Sequence, residues 1–167
     1  MKGFWKEKSL EKVIPPSLLK QKVQALKEEG KRIATLNGSF DLLHAGHLHI
    51  IYEASKQADV LIVALNSDAS IKTYKDKRRP IVCLEYRLEM MAALAFVDYV
   101  TWFDEVDPRR VLGEIQPHVH INGAEYGQQC IEADVIRQGG GVLHLVERIP
   151  SLSTTNLIQK IQEICDR

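Results

Sequence analysis

The chain has 167 residues, of which 45% are hydrophobic and 26% are charged, a composition typical of one globular domain. Its 22 basic and 22 acidic residues cancel, so no overall charge attracts the chain to nucleic acid. No apolar run approaches the roughly 20 residues of a membrane helix. The three distant cysteines form neither a CxxC pair for zinc nor an even disulfide set, and no signal peptide is evident, so we expect a cytoplasmic protein.

Helical and strand patterns alternate along the chain. After a charged arm at 1–14, residues 17–29 place apolar side chains on one helical face. Apolar runs predict five strands, at 32–36, 60–65, 98–103, 119–122 and 142–146. Further helices are predicted between and after these strands, at 46–57, 85–96, 107–115, 131–138 and 155–165.

This alternation predicts an α/β fold, with a parallel sheet of about five strands and helices on both faces. We predict one domain over residues 31–167, on which the arm and helix of residues 1–30 pack. Ligands of such sheets bind beyond the carboxyl ends of the strands. Each polar motif considered below follows a predicted strand.

The stretch 36–50, LNGSFDLLHAGHLHI, places two histidines three residues apart at a predicted helix start. Gly38 and Gly46 stand where the backbone turns or approaches a ligand closely. His44 and His47, at i and i+3, share one face of a turn. Because a helix N-terminus offers unpaired N–H groups and a partial positive charge, we predict that this histidine pair binds phosphate oxygens.

Two other interpretations of the histidine pair stay open at this point. Zinc could bind His44 and His47, although no third ligand stands at a usual spacing. Alternatively, both rings could only satisfy local backbone groups. His49 lies further into the predicted helix, where we expect a surface side chain.

The sequence GSFDLLHAGH resembles the HxGH signature of the nucleotidyltransferase (cytidylyltransferase-like) superfamily. The sequence SLSTTNLIQKI at 151–161 is similar to that superfamily's Ser/Thr-rich helix start. The resemblance covers residues 31–164 and implies a Rossmann-like doubly wound sheet of the HxGH type. Within the superfamily, the stretches NSDASIKTYKDKRRPI, EYRLEMMAALAFVDYV, INGAEY and EADVIRQGGGVLHLV most resemble the heptose 1-phosphate adenylyltransferases of lipopolysaccharide core synthesis.

The resemblance implies the residues of the site and its ligands. The catalytic residues would be His44, His47 and Lys75. The residues expected to bind nucleotide are Asn37, Gly38, Ser39, Phe40, Asp41, Gly46, Arg87, Asn122, Gly123, Arg148, Ser153, Thr154 and Thr155. No metal ligand is expected from the protein, and Mg²⁺ is expected to bind with the nucleotide. The expected partners are ATP or CTP, a phosphorylated acceptor and a second copy of the chain.

Four positions depart from the adenylyltransferase pattern. Ser39 stands where that family has Cys, Asn122 where it has Lys, and Glu125 where it has Asp. Arg148 stands where glycerol 3-phosphate cytidylyltransferases carry an arginine. Glycerol 3-phosphate cytidylyl transfer from CTP is therefore the second interpretation. An inactive nucleotide sensor of the same fold is a third, but it should have a broken HxGH motif or lack the basic run.

Several candidate residues also have structural interpretations. The basic run 72–80 could be a solvated loop, and Lys72 is the alternative to Lys75 as the phosphate-binding lysine. Arg87 could instead pair within its own helix. Ser153 or Thr154 could simply cap a helix, with or without binding phosphate.

Asp41 has two interpretations of its own. Its carboxylate could accept a hydrogen bond from the phosphorylated substrate that receives the nucleotidyl group, or it could orient a metal-bound water. It could equally well cap the turn into the HAGH helix.

Overall fold

The computed structural model describes residues 4–147, 149 and 153–166, and Arg148 therefore lies outside the described residues. The strands are β1 (Ile33–Gly38), β2 (Val60–Asn66), β3 (Tyr99–Phe103), β4 (Val119–Gly123) and β5 (Val142–Val146). The helices are α1 (Phe4–Leu10), α2 (Pro16–Glu28), α3 (Ala45–Ser55), α4 (Asp68–Tyr74), α5 (Leu84–Ala92), α6 (Arg109–Ile115), α7 (Ala133–Gln138) and α8 (Thr154–Cys165).

The strands form one parallel sheet in the order β3-β2-β1-β4-β5. From β1, the chain adds β2 and then β3 on one side of the sheet. It then crosses back and adds β4 and β5 on the other side of β1. The strand order therefore reverses between β1 and β4, which opens a crevice beyond their carboxyl ends. This arrangement confirms the predicted Rossmann-like, doubly wound sheet.

Alternate residues of the strands build one apolar core on each face of the sheet. Leu36 of β1 packs in the core that also contains Ile51 of α3 and Met91 of α5. Ile33 of β1 packs in the other core, with Leu19 of α2 and residues of α6. Strand β2 is buried at every residue, as its continuous apolar sequence predicts.

The arm before α2 is more ordered than its sequence indicates. Residues 4–10 form α1, and Val13 makes a parallel bridge to Val100 beside the edge strand β3. Lys12 Nζ donates hydrogen bonds to the carbonyl oxygens of Leu94 and Val97, at 3.1 and 2.7 Å. These partners lie more than 80 positions away in sequence, so a local pattern could not reveal them.

Two helices differ from the sequence-based prediction. Helix α4 was not predicted, although Ser67 caps its start by accepting a hydrogen bond from the N–H of Ser70 at 3.1 Å. Helix α5 ends at Ala92 rather than at residue 96, because the chain then turns and buries Val97 in the core. Within the described part of the chain, no helix has the length and apolar character needed to cross a membrane.

Candidate active site

A cavity of about 350 Å³ lies at the carboxyl ends of β1 and β4, at the reversal of strand order. The structure brings together in its lining most of the residues that the sequence singled out. These are Asn37, Gly38, Ser39, Phe40, His44, Gly46, His47, Lys75, Asn122, Gly123, Ser153, Thr154 and Thr155.

The two histidines stand at the start of α3 with their rings stacked. His44 is the N-cap residue, in extended backbone conformation, and its Nδ1 accepts a hydrogen bond from the N–H of His47 at 3.4 Å. The ring centroids lie 3.8 Å apart. A neutral ring that accepts at Nδ1 carries its proton on Nε2. His44 can therefore satisfy a local backbone group and still offer a donor to a ligand.

The loop between β1 and α3 is shaped by Phe40. Its backbone is left-handed, with φ of 44°, and its ring lies edge-on to that of His47, with centroids 5.3 Å apart. A Cβ atom at residue 38 would lie 3.1 Å from the Phe40 ring. Gly38 therefore allows the aromatic ring to pack against the strand end and to support the His47 ring.

Lys75 reaches the same cavity from the end of α4. Its Nζ donates a hydrogen bond to Ser39 Oγ at 2.8 Å, so the serine that departs from the family pattern is the contact of this lysine. Desolvation, reinforced by the charges of Arg79 and Arg87, lowers the pKa of Lys75. Lys72 is exposed and does not line the cavity, which favours Lys75 as the ligand-facing lysine.

Arg87 does not line the cavity, and its contact with the nucleotide stays a prediction. Its guanidinium is fully buried and donates to the carbonyl oxygens of Val82, Ser39 and Asn66, at 2.9, 2.6 and 2.9 Å. It also pairs with Asp68 at 2.6 Å. Arg87 therefore ties the ends of β1 and β2 to the segment before α5, rather than pairing within its own helix.

Asp41 is likewise buried and does not line the cavity, and its role in binding a ligand stays a prediction. Its carboxylate accepts hydrogen bonds from the N–H groups of Ile81 and Val82, both at 2.8 Å, and from Arg79 Nε at 2.6 Å. Burial alone would raise the pKa of Asp41, but these donors outweigh it and lower the pKa. Asp41 thus holds the segment that follows Lys75.

The β4 side of the cavity is closely packed. Asn122 Oδ1 accepts a hydrogen bond from the N–H of Gly123 at 3.0 Å, and its Nδ2 lies 3.5 Å from Glu132 Oε2. A side chain at residue 123 would collide with the carboxylate of Glu125. The space beside Gly123 is therefore occupied by the Glu125 carboxylate.

The start of α8 forms the opposite wall. Ser153 Oγ accepts a hydrogen bond from the N–H of Asn156 at 3.1 Å, which makes Ser153 the N-cap residue. Thr154 and Thr155 line the cavity beside it. The helix start combines hydroxyl groups with a partial positive charge, so the capping role and a phosphate-binding role are compatible.

A sequence model described as Cytidylyltransferase-like matches residues 35–160. The chain belongs to this family. The match spans the cavity from β1 to α8, and it confirms the sequence-based prediction of a nucleotidyltransferase.

Individual proteins are also similar to the chain. It is 40% identical over 140 residues to the "Bifunctional protein HldE" of Geobacter metallireducens, an alignment that covers 83% of this chain and 29% of that protein. It is 39% identical over 150 residues to the protein of the same name from Klebsiella pneumoniae, covering 89% and 31%. The chain thus spans under a third of the length of these relatives.

Solved structures show the same fold. A lipopolysaccharide core biosynthesis protein from Thermoplasma volcanium is 28% identical, with a TM-score of 0.58 over 72% of this chain and 98% of that one. The pantoate-beta-alanine ligase of Francisella tularensis is 17% identical, with a TM-score of 0.58 over 93% and 79%. The second similarity supports the fold alone.

Sequence reasoning missed several residues of this Cytidylyltransferase-like site. They are Leu36, Ile50, Val146, Glu147 and Ile149. Glu147 directly follows β5, so the rule that ligands lie beyond strand ends could have found it. The apolar wall residues carry no such signal, because their sequence pattern is that of ordinary core. Within the described residues, no three His, Cys, Asp or Glu side chains form a metal-binding group.

Proposed function

We propose that the chain transfers an adenylyl group from ATP to a sugar 1-phosphate, namely heptose 1-phosphate, and releases pyrophosphate. The relatives near 40% identity and the adenylyltransferase-like sequence stretches support this substrate pair. The observation that carries the proposal is the cavity itself, which gathers His44, His47, Lys75 and the start of α8 around one space.

The chemistry of this transfer suits such a cavity. A phosphate monoester has a second pKa of roughly 6, so the acceptor is largely ionised near neutral pH and needs no strong general base. The barrier arises because two polyanions must meet in line while negative charge moves onto the leaving pyrophosphate. Catalysis is therefore mainly positioning and electrostatic stabilisation by fixed donors.

The proposed roles follow from where each group lies. The stacked rings of His44 and His47 would donate to the phosphate of the transferred adenylyl group, which would lie at the N-terminus of α3. Lys75 would break its hydrogen bond to Ser39 and bind phosphate oxygens instead, as a mobile positive charge. The start of α8 would hold the outer phosphates. Mg²⁺, bound by the triphosphate oxygens, would neutralise further negative charge.

A cytidylyl transfer to glycerol 3-phosphate is the second candidate. The Glu125 carboxylate at the end of β4 favours a base with an amino group, which adenine and cytosine share. A carboxylate there therefore does not distinguish ATP from CTP. Arg148, which stands where glycerol 3-phosphate cytidylyltransferases carry an arginine, lies outside the described residues.

The test is pyrophosphate release, measured for each NTP against heptose 1-phosphate, other sugar 1-phosphates and glycerol 3-phosphate. We expect the highest kcat/KM for ATP with heptose 1-phosphate. Activity should disappear with EDTA and return with added Mg²⁺. A higher kcat/KM for CTP with glycerol 3-phosphate would replace the proposal by the second candidate.

We also propose that the active form is a homodimer. Helix α8 is amphipathic and leaves Ile161 and Ile164 more than half exposed. Light scattering coupled to size-exclusion chromatography should give twice the mass of one chain. A monomer with full activity would contradict this proposal.

A further inference from the structure

The side-chain oxygen of Asn37 has no partner among the described residues. Asn37 lies at the end of β1 and lines the cavity, and its Oδ1 is buried. Within the described residues, this oxygen has no hydrogen-bond partner. Buried polar groups in proteins are nearly always paired, so an exception at a ligand-sized cavity indicates a partner supplied by the ligand.

The neighbours of Asn37 cannot supply that partner. On β4, Asn122 uses its amide on Gly123 and Glu132. One step further into the sheet, Thr35 Oγ1 and His120 Nδ1 bond to each other at 2.8 Å.

On the other side of Asn37, β2 presents Ala64, whose side chain has no polar atom. Around Asn37, the described part of the sheet offers a methyl group, polar groups that already have partners, and the His120 ring, whose Nε2 atom is itself buried without a partner.

The chemistry of the atom restricts what it can bind. An amide oxygen only accepts hydrogen bonds, so it does not bind an ionised phosphate oxygen. The phosphate-binding groups of the cavity are His44, His47, Lys75 and the start of α8, all of which donate. Asn37 instead matches a neutral donor, such as a hydroxyl or amino group.

We propose that Asn37 is a specificity-determining residue, whose Oδ1 accepts a hydrogen bond from a hydroxyl or amino group on the non-phosphate part of a substrate. The inference rests on the proposed function for the identity of the substrates. That donor is either a hydroxyl of the acceptor sugar or a hydroxyl or amino group of the nucleoside. An analogue without it leaves Asn37 Oδ1 buried and unpaired, which a site of this kind rejects strongly.

The test compares Asn37→Leu, which keeps the size of the side chain and removes the acceptor, with wild type. The nucleotide arm uses ATP, 2′-deoxy-ATP and purine riboside triphosphate, which lacks the amino group. The acceptor arm uses heptose 1-phosphate and its deoxy analogues. We expect wild type to reject one analogue by about 10-fold or more in kcat/KM, and Asn37→Leu to treat parent and analogue alike.

Thr101→Val is the matched control. Thr101 Oγ1 is also buried without a partner among the described residues, and it lies across Ala64 on the same row of the sheet, but it does not line the cavity. We expect Thr101→Val to keep the wild-type discrimination. Circular dichroism spectra check that both variants are folded.

The substrate series, nucleotide or acceptor, in which Asn37→Leu loses the discrimination between parent and analogue identifies the source of the donor. Equal treatment of all parents and analogues by wild type would overturn the proposal, as would unchanged discrimination in Asn37→Leu. If wild type releases no pyrophosphate, the proposed function fails. The Kd values of ATP and its two analogues, from calorimetry on wild type and Asn37→Leu, then decide the role of Asn37, and equal ratios would overturn it.

Discussion

The two flanks of the cavity place their hydrogen-bond donors by different means. On the α3 flank, His44 and His47 are oriented by a helix start, through a hydrogen bond that spans three residues. On the α4 flank, Lys75 reaches Ser39 across 36 positions of sequence. The buried groups of Asp41 and Arg87 hold the surrounding segments there.

This difference teaches that a short motif can contain its own geometry, whereas the position of a lysine on a connecting segment depends on distant residues. The α3 flank should therefore fail chemically when its side chains change, with little loss of stability. The α4 flank should lose both activity and stability when the supporting residues change. The following predictions test this contrast.

The largest effect is expected at the histidines. We predict that His47→Ala lowers kcat by about 100- to 1000-fold, because each donor stabilises charge that develops only in the transition state. The midpoint of chemical unfolding should stay close to that of wild type. Near-normal turnover in His47→Ala would contradict the assignment of the HAGH motif as catalytic.

His44→Asn separates capping from catalysis at the neighbouring position. Asparagine is a favourable N-cap residue, so the helix start should be kept while the imidazole donor is lost. We expect a loss of kcat similar to that of His47→Ala, at unchanged stability. If His44→Asn is fully active, His44 has only the capping role.

Lys75→Met should lower kcat/KM by about 10- to 100-fold, because a positive charge near the phosphates is lost while the aliphatic stem is kept. Lys72→Met is the control, since Lys72 is exposed on α4 and does not line the cavity. Steady-state kinetics on both variants test the assignment. Equal losses would show that only the general charge of the basic run matters.

Arg87→Leu should lower the free energy of unfolding by about 3 kcal/mol, because it leaves a carboxylate and buried carbonyl oxygens without their donor. Urea unfolding measures this change. We expect kcat to fall as well, since the ends of β1 and β2 lose their connection. A stable variant with reduced kcat would instead indicate direct contact with the substrate.

The smallest effect is the pH dependence of Asp41. Its folded-state pKa lies below the ordinary value, so the carboxylate stabilises the fold above its unfolded-state pKa of about 4 and loses that contribution as pH falls through the folded-state pKa. The difference in free energy of unfolding between wild type and Asp41→Asn should therefore shrink as the pH is lowered below about 4. A difference that is constant with pH would contradict this role.

Much of the fold could be predicted from sequence because its signals are local. The apolar run of β2 predicts a strand buried on both faces, and the structure buries each of its residues. The alternation of strands and helices predicts the parallel sheet. The order of the arm was missed, because Val13 and Lys12 are held by partners near residue 100 rather than by a local pattern. Helix α4 was missed although Ser67 supplies a local cap.

By itself, the sequence determined the doubly wound class and the position of the HAGH motif beyond the end of β1, because strand periodicity and helix-start chemistry act over a few residues. Only the tertiary structure decided which polar residues face the cavity. Asp41 and Lys75 were both predicted to bind ligand. The Asp41 carboxylate is buried against backbone N–H groups, whereas the Lys75 side chain lines the cavity. The reason is that side-chain direction and burial depend on contacts between segments far apart in sequence, which no local pattern encodes.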